Sequence, residues 1–440
     1  MPEMVAFNLV LDTIRATDYQ RRTLDGELDE MVSGGAAAIA IEGAKAVGKS
    51  ATALERVDTA FLLEEPVTRQ LVEADPGRIV TGGPVLIDEW HHLPATWDVV
   101  RRAVDAGAAP GQFLLTGSAS ALNPGTHSGA GRIVTVRMRP MTLCERGVGT
   151  PSVSLAALLT GERPPINGDT DVGLEQYVDE IVRSGFPAVR AASDRLRRAQ
   201  LRGYVDRVID RDFPDMMGRR VRNPAALRRW LRAYAAATAT VTSYERIRDA
   251  ATSGEGDKPA KTTTQPYRDI LEALYVLDPV AAWLPTNNHI NELASAPKHH
   301  LADPALAASL LGLGVGALLQ GDQGSVSIPR DGTFLGALFE SLVTLSVRVF
   351  AQAAEAAVGH LRTHRGDHEI DLIVERDDRK IVAVETKLSA TVDDDDITHL
   401  RWLREELRDD LLDAVVVTTG PHAYRRPDGI AVVPAALLGP

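Results

Sequence analysis

Apolar and polar positions in the first third of the chain alternate between runs that predict strands and stretches that predict helices. The segments AAIAIEG, VLIDEW and QFLLTGS each contain a continuous apolar run, as expected of strands buried on both faces of a parallel sheet. The stretches KSATALERVDTAF and TWDVVRRAVDAG lie between them and have a helical pattern. This order predicts a doubly wound α/β domain over residues 1–150, with ligands at the carboxyl ends of its strands.

The composition changes after this domain. The segment from Gly147 to Asp171 is rich in Pro, Gly, Ser and Thr, which predicts a domain boundary. Residues 172–250 then predict a helical region with few strands. A second polar break, ATSGEGDKPAKTTT, opens residues 251–325, where TTQPYRDILEALYVLDPVAAW predicts a helix followed by a strand. We expect a winged-helix-like domain there, although a helix that only packs the domain fits the same pattern.

The final part of the chain, residues 326–440, returns to alternating strands and helices. A helix is expected around Glu340, followed by the strands EIDLIVE and KIVAVETKL, the helix DITHLRWLREEL and the strand DAVVVTTG. These elements predict a second α/β unit with its own core.

Charge and composition narrow the class of protein. No apolar run reaches the length that spans a bilayer, and no basic region followed by an apolar one opens the chain, so we expect a cytoplasmic protein without a membrane partner. The single cysteine, Cys144, excludes an internal disulfide and a cysteine-based zinc site. The net charge of -12 argues against non-specific coating of nucleic acid. Twelve arginines between Arg195 and Arg232 nevertheless predict a local basic surface.

The segment GAKAVGKS fits the phosphate-binding pattern G-x-x-x-x-G-K-[ST], directly after one predicted strand and before a predicted helix. The positions expected to bind ATP here are Gly43, Ala44, Lys45, Ala46, Val47, Gly48, Lys49 and Ser50. The glycines allow backbone N–H groups to face the phosphates. Lys49 would supply a positive charge to the β- and γ-phosphates, and the Ser50 hydroxyl would bind Mg²⁺.

Two later strands end in polar residues that complete such a site. Asp88 and Glu89 follow an apolar strand, where two carboxylates are costly unless they face a cation or a polarised water. Asp88 would hold Mg²⁺ through its water shell, and Glu89 would act as the base towards the attacking water. In FLLTGSAS, Thr116 or Ser118 would position that water.

A second constellation lies near the end of the chain. Glu385 and Lys387 are two positions apart in one strand and therefore share a face. If the strand EIDLIV pairs beside it as a hairpin, Asp371 joins them, and Glu340 lies on the preceding helix. Carboxylates that converge with a lysine bind a divalent metal and stabilise a phosphodiester under attack by water. Charged residues on a solvated sheet face, or a site used only for binding, are the alternatives.

The order GAKAVGKS, LIDEW, LLTGS and GRIVTVRMRPMTLCE resembles the prokaryotic AAA+ ATPases of the archaeal and signal-transduction-like clade. The resemblance continues through SGFPAVR, YVDRVIDRDF and KHHLADPALAASLLG. It implies a P-loop AAA+ domain followed by a helical region. It also implies that Arg132, of the pair Gly131-Arg132, contacts the γ-phosphate in the same subunit or in a neighbour. A surface arginine before a strand is the alternative.

The C-terminal constellation resembles the restriction-endonuclease-like fold with its D…E-x-K motif, known as PD-(D/E)xK. Asp371, Glu385 and Lys387 match the motif, and Glu340 matches an additional acidic residue on the first helix of that family. The residue before the aspartate is Ile370, where the motif has proline. The resemblance implies catalytic roles for these residues and a second divalent metal held by Asp371 and Glu385.

These patterns together predict an ATP-binding and ATP-hydrolysing protein that uses Mg²⁺ and couples its nucleotide state to a metal-dependent DNA nuclease or DNA-binding module. One alternative is an ATP-dependent regulatory switch without nuclease activity that docks DNA or a protein partner. Another is a DNA-binding regulator that acts through the winged helix. The oligomeric state stays open, a homo-oligomer included.

Overall fold

The computed structural model describes residues 19–118, 130–252, 261–285, 295–319, 332–363 and 366–440. The chain divides into two compact units, each described here by itself. The first contains the described residues up to Pro140 together with Ala273–Tyr275, and the second contains Met141–Glu272 and Val276–Pro440.

The first unit is built on a five-stranded sheet with helices between its strands. Its strands are β1 Ala38–Glu42, β2 Thr59–Leu62, β3 Val85–Asp88, β4 Phe113–Gly117 and β5 Ile133–Arg137. Its helices are α1 Thr23–Ser33, α2 Lys49–Leu54, α3 Pro66–Ala74 and α4 Ala95–Asp105. The strand order is β2-β3-β4-β1-β5, and every pairing is parallel, as is typical of P-loop ATPases. The predicted α/β domain with a parallel sheet is thus confirmed.

The register of this sheet determines which residues meet. Ile41 of β1 pairs with Thr116 of β4, and Ile87 of β3 pairs with Leu115 of the same strand. Because all strands are parallel, the residues that follow β1, β3 and β4 emerge at one edge. The three motif segments that the sequence separates are therefore neighbours in the fold.

One predicted helix of the first unit is shorter than its pattern suggested. The stretch KSATALERVDTAF was expected to be helical, but α2 ends at Leu54 and Thr59–Leu62 forms the strand β2. This strand pairs with β3 at the edge of the sheet, and only Ala60 within it is fully buried. The apolar run over residues 60–63 is only four residues long, and periodicity alone cannot assign so short a run to a strand rather than a helix.

The second unit begins with short strands and a group of helices. The short strands are β6 Val153–Ser154 and β7 Gly168–Asp169, and β8 Ala281–Ala282 comes later in the chain. The helices up to residue 273 are α5 Leu155–Leu159, α6 Leu174–Arg183, α7 Pro187–Arg190, α8 Asp194–Arg207, α9 Phe213–Met217, α10 Pro224–Ala236, α11 Tyr244–Ala250 and α12 Lys261–Ala273. The winged helix stays a prediction, since the strand expected after α12 is the two-residue β8, which pairs with the C-terminal sheet.

The rest of the second unit forms a mixed sheet covered by helices. Its later helices are α13 Pro304–Leu311, α14 Val315–Leu319, α15 Gly332–Ala353 and α16 Thr398–Leu407. Its later strands are β9 Ala357–Arg362, β10 Glu369–Glu375, β11 Ile381–Lys387, β12 Leu411–Thr418, β13 His422–Arg425, β14 Ala431–Pro434 and β15 Leu438–Gly439. The eight-stranded sheet has the order β7-β13-β14-β12-β11-β10-β9-β8. Strand β10 pairs antiparallel with β9 and β11, whereas β12 pairs parallel with β11 and β14.

Helix α15 packs against β9, β10 and β11 and is apolar along most of its length. Its segment Phe334–Ala353 is long and apolar enough to cross a bilayer by length and composition, a feature that the sequence analysis missed. In the structure 78% of this segment is buried inside the unit, as in the core helix of a domain.

Candidate functional sites

The loop between β1 and α2 has a backbone that requires glycine at two positions. Gly43 has a φ of +158°, and a Cβ atom there would lie 2.2 Å from the carbonyl oxygen of Met138. Gly48 has a φ of +108° at the start of α2, in the left-handed region that favours glycine. The two glycines of the predicted phosphate-binding pattern therefore lie where a side chain would clash, at Gly43, or would strain the backbone, at Gly48.

The remaining loop residues differ in exposure. Ala44 and Val47 are buried, Ala46 is exposed with a positive φ of 66°, and Lys45 is half-buried. The tight turn at Ala46 lets the chain reverse within a few residues, so that the loop connects the end of β1 directly to α2.

Lys49 lies inside the loop and bonds to the backbone. Its ammonium donates hydrogen bonds to the carbonyl oxygens of Gly43 at 2.9 Å and Ala44 at 3.0 Å, and the residue is 4% exposed. Burial lowers the pKa of Lys49, although Glu89 and Asp88 act to raise it. No carboxylate hydrogen-bonds this ammonium among the described contacts, so its positive charge is not consumed by an ion pair.

Ser50, Asp88 and Thr116 form a compact group of oxygen atoms. One carboxylate oxygen of Asp88 accepts hydrogen bonds from the Ser50 hydroxyl at 2.5 Å and from the Thr116 hydroxyl at 2.6 Å. Burial raises the pKa of Asp88 and outweighs these two hydrogen bonds, which lower it. Hydroxyl and carboxylate oxygens are the ligands that Mg²⁺ prefers, so the residues fit this ion.

Glu89 is held in one orientation by its neighbours. Its backbone is left-handed with a φ of 51°, and its N–H donates to the Thr116 hydroxyl at 3.1 Å. Its carboxylate accepts from the Ser118 N–H at 3.1 Å and the Ser118 hydroxyl at 2.8 Å, and His91 Nδ1 lies 3.3 Å away. The structure therefore brings the ends of β1, β3 and β4 together, as the motif order predicted.

Sequence reasoning missed residues before the loop that support it. The buried guanidinium of Arg22 donates to the carbonyl oxygens of Val47 at 2.9 Å and Arg139 at 2.9 Å. The Tyr19 hydroxyl lies 2.9 Å from the Thr52 hydroxyl and donates to Asp25 at 2.7 Å. These residues carry no motif, and only their contacts in the fold identify them.

A further group lies at the end of β1 within the first unit. The hydroxyl of Tyr275 donates to the carboxylate of Glu42, the residue directly before Gly43. The Arg137 guanidinium lies 4.9 Å from the centre of the Tyr275 ring. Burial raises the pKa of Glu42.

Arg132 lies away from the loop of its own chain. It precedes β5, whose first residue pairs with Ala38 at the start of β1, while the loop follows Glu42 at the other end. Five residues of parallel strand span about 16 Å. Its guanidinium bonds Asp105 at 2.9 Å. A γ-phosphate contact within the same chain gains no support from this position, and a contact from a neighbouring chain stays a prediction.

The C-terminal residues also converge. Strand β10 pairs antiparallel with β11, with Leu372 opposite Val384, and its register with β9 shifts between Ile370 and Ile373. Such an irregularity re-aims a side chain. Asp371 lies within it and accepts hydrogen bonds from the Thr386 N–H at 2.9 Å and the Thr386 hydroxyl at 2.7 Å.

Lys298 is the residue that the sequence analysis did not assign to this group. Its ammonium donates to Glu340 at 2.9 Å and Asp371 at 3.0 Å, and Glu369 lies 3.5 Å away. The residue is only 1% exposed. We call Lys298, Glu340, Asp371, Glu385 and Lys387 the carboxylate–lysine cluster.

Glu385 and Lys387 form the other side of the cluster. The Lys387 ammonium lies 3.3 Å from one Glu385 oxygen and 3.8 Å from Asp396. The second Glu385 oxygen, Oε2, is buried and has no hydrogen-bond partner among the described residues. Burial and the nearby Asp371 raise the pKa of Glu385 well above its usual value.

The cluster does not fit a divalent ion as its side chains are arranged. Burial raises the pKa of Glu340 to about 8, with Asp371 adding to this, whereas Lys298 and Thr386 overcome burial and lower the pKa of Asp371. Within the described residues, no group of three or more His, Cys, Asp and Glu side chains is arranged to hold a metal. The Lys298 ammonium bonds the carboxylates of Glu340 and Asp371 instead.

Comparisons with known protein families agree with the prediction of an ATPase site in the first unit. Three family models match successive parts of the chain: "AAA domain" over residues 36–146, "Domain of unknown function (DUF8612)" over 174–316 and "Domain of unknown function (DUF4143)" over 335–438. The parallel sheet, the loop geometry and the first match support an AAA-like P-loop ATPase. The prediction is confirmed at this level, and the two domains of unknown function carry no assigned activity.

Two relatives that match most of the chain are themselves uncharacterized proteins. Uncharacterized proteins of Mycobacterium bovis and Mycobacterium tuberculosis are each 28% identical over 394 residues, which cover 88% of this chain and 76% of the relative. A solved Walker-type ATPase of Pyrococcus abyssi has 16% identity and a TM-score of 0.35, covering 67% of this chain and 96% of its own. That likeness is too weak to support an argument.

Proposed function

We propose that this AAA-like protein is an ATP-hydrolysing switch whose nucleotide state controls the docking of DNA by its second unit. The observation that carries the ATPase part is the connected network of Ser50, Asp88, Thr116, Glu89 and Ser118 at the end of the phosphate-binding loop. A hydroxyl, two carboxylates and an ammonium free of ion pairing are the groups that phosphoryl transfer to water requires.

Each residue has a separate role in this proposal. Lys49 turns from the loop carbonyls to the β- and γ-phosphates of ATP, and Ser50 and Asp88 hold Mg²⁺. Mg²⁺, when bound, neutralises charge on the phosphates. Glu89, oriented by Ser118, accepts the proton of the attacking water. The bond from that water oxygen to the γ-phosphorus forms as the bond to the ADP oxygen breaks, which yields ADP and phosphate.

The test is the rate of phosphate release from ATP and the affinity for ATP of the purified chain, with Lys49→Ala compared with Lys380→Ala, a lysine between β10 and β11. We expect turnover by the wild type, loss of ATP binding in Lys49→Ala and no change in Lys380→Ala. Equal turnover in all three proteins would show that Lys49 does not contribute to ATP binding and would contradict the proposed site.

DNA is the proposed partner because of the arginine-rich stretch. Ten of the twelve arginines between Arg195 and Arg232 are exposed, on α8, α10 and the segments between them. Arg228 pairs with Asp206 at 2.6 Å. Clustered exposed arginines on an otherwise acidic chain attract a phosphate backbone. We expect DNA affinity that falls steeply with salt and that weakens in Arg198→Ala/Arg202→Ala; affinity independent of salt would exclude this surface.

A metal-dependent nuclease with a restriction-endonuclease-like fold is the second candidate. The convergence of Asp371, Glu385 and Lys387 on β10 and β11 favours it, and so does the unpaired oxygen of Glu385. The position of Lys298 disfavours it. If the wild type cleaves DNA with Mn²⁺ and Lys387→Ala does not, the nuclease function is favoured. If the wild type cleaves no DNA under any nucleotide condition, the DNA-docking function is favoured.

A further inference from the structure

Lys298 has an unusual setting for a lysine. It is nearly fully buried, and its three nearest polar partners are all carboxylates, at 2.9, 3.0 and 3.5 Å. Glu340 comes from helix α15, and Glu369 and Asp371 come from strand β10. Glu340 and Asp371 lie 42 and 73 residues further along the chain than Lys298. A buried ammonium is stable only when such partners compensate its lost hydration.

The backbone around Lys298 holds this position. Its N–H donates to the carbonyl oxygen of Val280 at 2.9 Å, and its own carbonyl accepts from Val280 N–H at 2.9 Å. On the next residue, the N–H of His299 donates to Thr240 at 2.9 Å, and its Nε2 lies 2.6 Å from the Thr242 carbonyl oxygen. The lysine therefore extends from a segment that is bonded on both sides, and the ammonium is directed into the cluster.

The Lys298 ammonium already bonds the carboxylates that a divalent ion would need. Two ammonium groups lie among five carboxylates: Glu340, Asp371 and Glu369 lie 2.9, 3.0 and 3.5 Å from Lys298, and Glu385 and Asp396 lie 3.3 and 3.8 Å from Lys387. A divalent ion bound to the oxygens of Glu340 and Asp371 would lie beside the fixed ammonium of Lys298, where like charges repel.

We propose that Lys298 is the resident cation of the carboxylate–lysine cluster and that its ammonium excludes a divalent metal from Glu340, Asp371 and Glu385. The inference refines the role of the second unit in the proposed function, but it does not depend on ATP hydrolysis. It predicts that removal of one ammonium converts the cluster into a divalent-metal site.

The test measures Mn²⁺ binding by calorimetry to the full chain after chelation and without nucleotide. We expect no Asp371-dependent binding in the wild type, and none in Lys298→Arg, which keeps the positive charge. Lys298→Met should bind one Mn²⁺ per chain, and Lys298→Met/Asp371→Asn should lose it. Mn²⁺ binding to the wild type that Asp371→Asn abolishes would overturn the proposal, and so would a Lys298→Met protein that folds and binds no ion.

Loss of the ammonium leaves buried carboxylates unpaired, so Lys298→Met can also fail to fold. The variant Lys298→Met/Glu340→Gln removes one carboxylate together with the lysine and keeps Asp371 and Glu385. Its thermal midpoint should rise with added Mn²⁺, whereas that of the wild type should not. An unchanged midpoint in the double variant would refute the proposal. ATP turnover, measured in parallel, separates this result from a failure of the ATPase assignment.

Discussion

Two buried lysines in this chain have opposite surroundings and opposite pKa shifts. Lys49 is 4% exposed and Lys298 is 1% exposed, so both ammonium groups have lost most of their hydration. Burial lowers the pKa of Lys49, which bonds two backbone carbonyls. Burial also acts to lower the pKa of Lys298, but Asp371 and Glu340 raise it above the usual lysine value.

The two lysines are both buried but have different partners, so burial alone does not identify a functional lysine. An ammonium on neutral carbonyls keeps its charge for an incoming anion such as a phosphate group. The charge of an ammonium that bonds two carboxylates is already compensated within the fold. The partners of each buried lysine therefore decide its role: backbone carbonyls leave Lys49 able to bind a ligand, whereas carboxylates compensate the charge of Lys298 within the second unit.

The largest effect is expected for Glu89→Gln at the first site. Glutamine keeps the size of the side chain but cannot accept a proton from water, so turnover should fall by roughly 10²–10⁴-fold. ATP binding should persist, because Lys49 and the loop are unchanged. Phosphate release and ATP affinity measured together check this, and a parallel loss of both would show that Glu89 acts in folding or binding instead.

Ser50→Ala should have a smaller effect, on the metal requirement. Loss of the hydroxyl that bonds Asp88 should raise the Mg²⁺ concentration for half-maximal turnover by about 10–100-fold. Ser33→Ala, at the exposed end of α1, is the matched control and should leave this value unchanged. An unaltered Mg²⁺ dependence in Ser50→Ala would show that the Ser50 hydroxyl does not bind the ion.

Thr386→Val tests the second site by a change in stability. Asp371 loses the hydroxyl donor and keeps the backbone donor, so the free energy of unfolding should fall by about 1–3 kcal/mol. Thr391→Val, at an exposed threonine, is the control. Urea unfolding measures both proteins, and equal midpoints would mean that the hydroxyl contributes nothing to holding Asp371.

Glu340→Gln should alter the pH dependence of stability. The folded pKa of Glu340 is raised from 4.5 to about 8, so its contribution to stability is present below the lower value and is lost as the pH rises towards the upper one. Between about pH 5 and pH 8 the wild type should therefore lose more stability than Glu340→Gln. Parallel curves for the two proteins would contradict the raised pKa.

The first site was predictable because its chemistry is local in sequence. Gly43, Gly48 and Lys49 belong to one short loop, and Asp88 and Thr116 end strands whose parallel order brings them together. The strand β2 was not predicted, since its short apolar run fits a helix as well as a strand. Arg22 and Tyr275 were missed because they reach the loop region only through tertiary contacts.

The second site was predictable only in part. The alternation of Glu385 and Lys387 and the position of Asp371 followed from strand pairing, and the two strands do pair antiparallel. Lys298 lies between two histidines and a proline in the sequence and has no pattern of its own. Its partner Asp371 lies 73 residues later, next to an irregularity that shifts the register of β10. Only the fold could reveal that the carboxylates already hold a cation.

The most direct measurement counts Mn²⁺ ions bound per chain with and without a non-hydrolysable ATP analogue. The account predicts one ion that binds only with the nucleotide, is lost in Lys49→Ala and is retained in Asp371→Asn. An ion that persists in Lys49→Ala, or one that disappears in Asp371→Asn, would contradict the distinction between the two lysines.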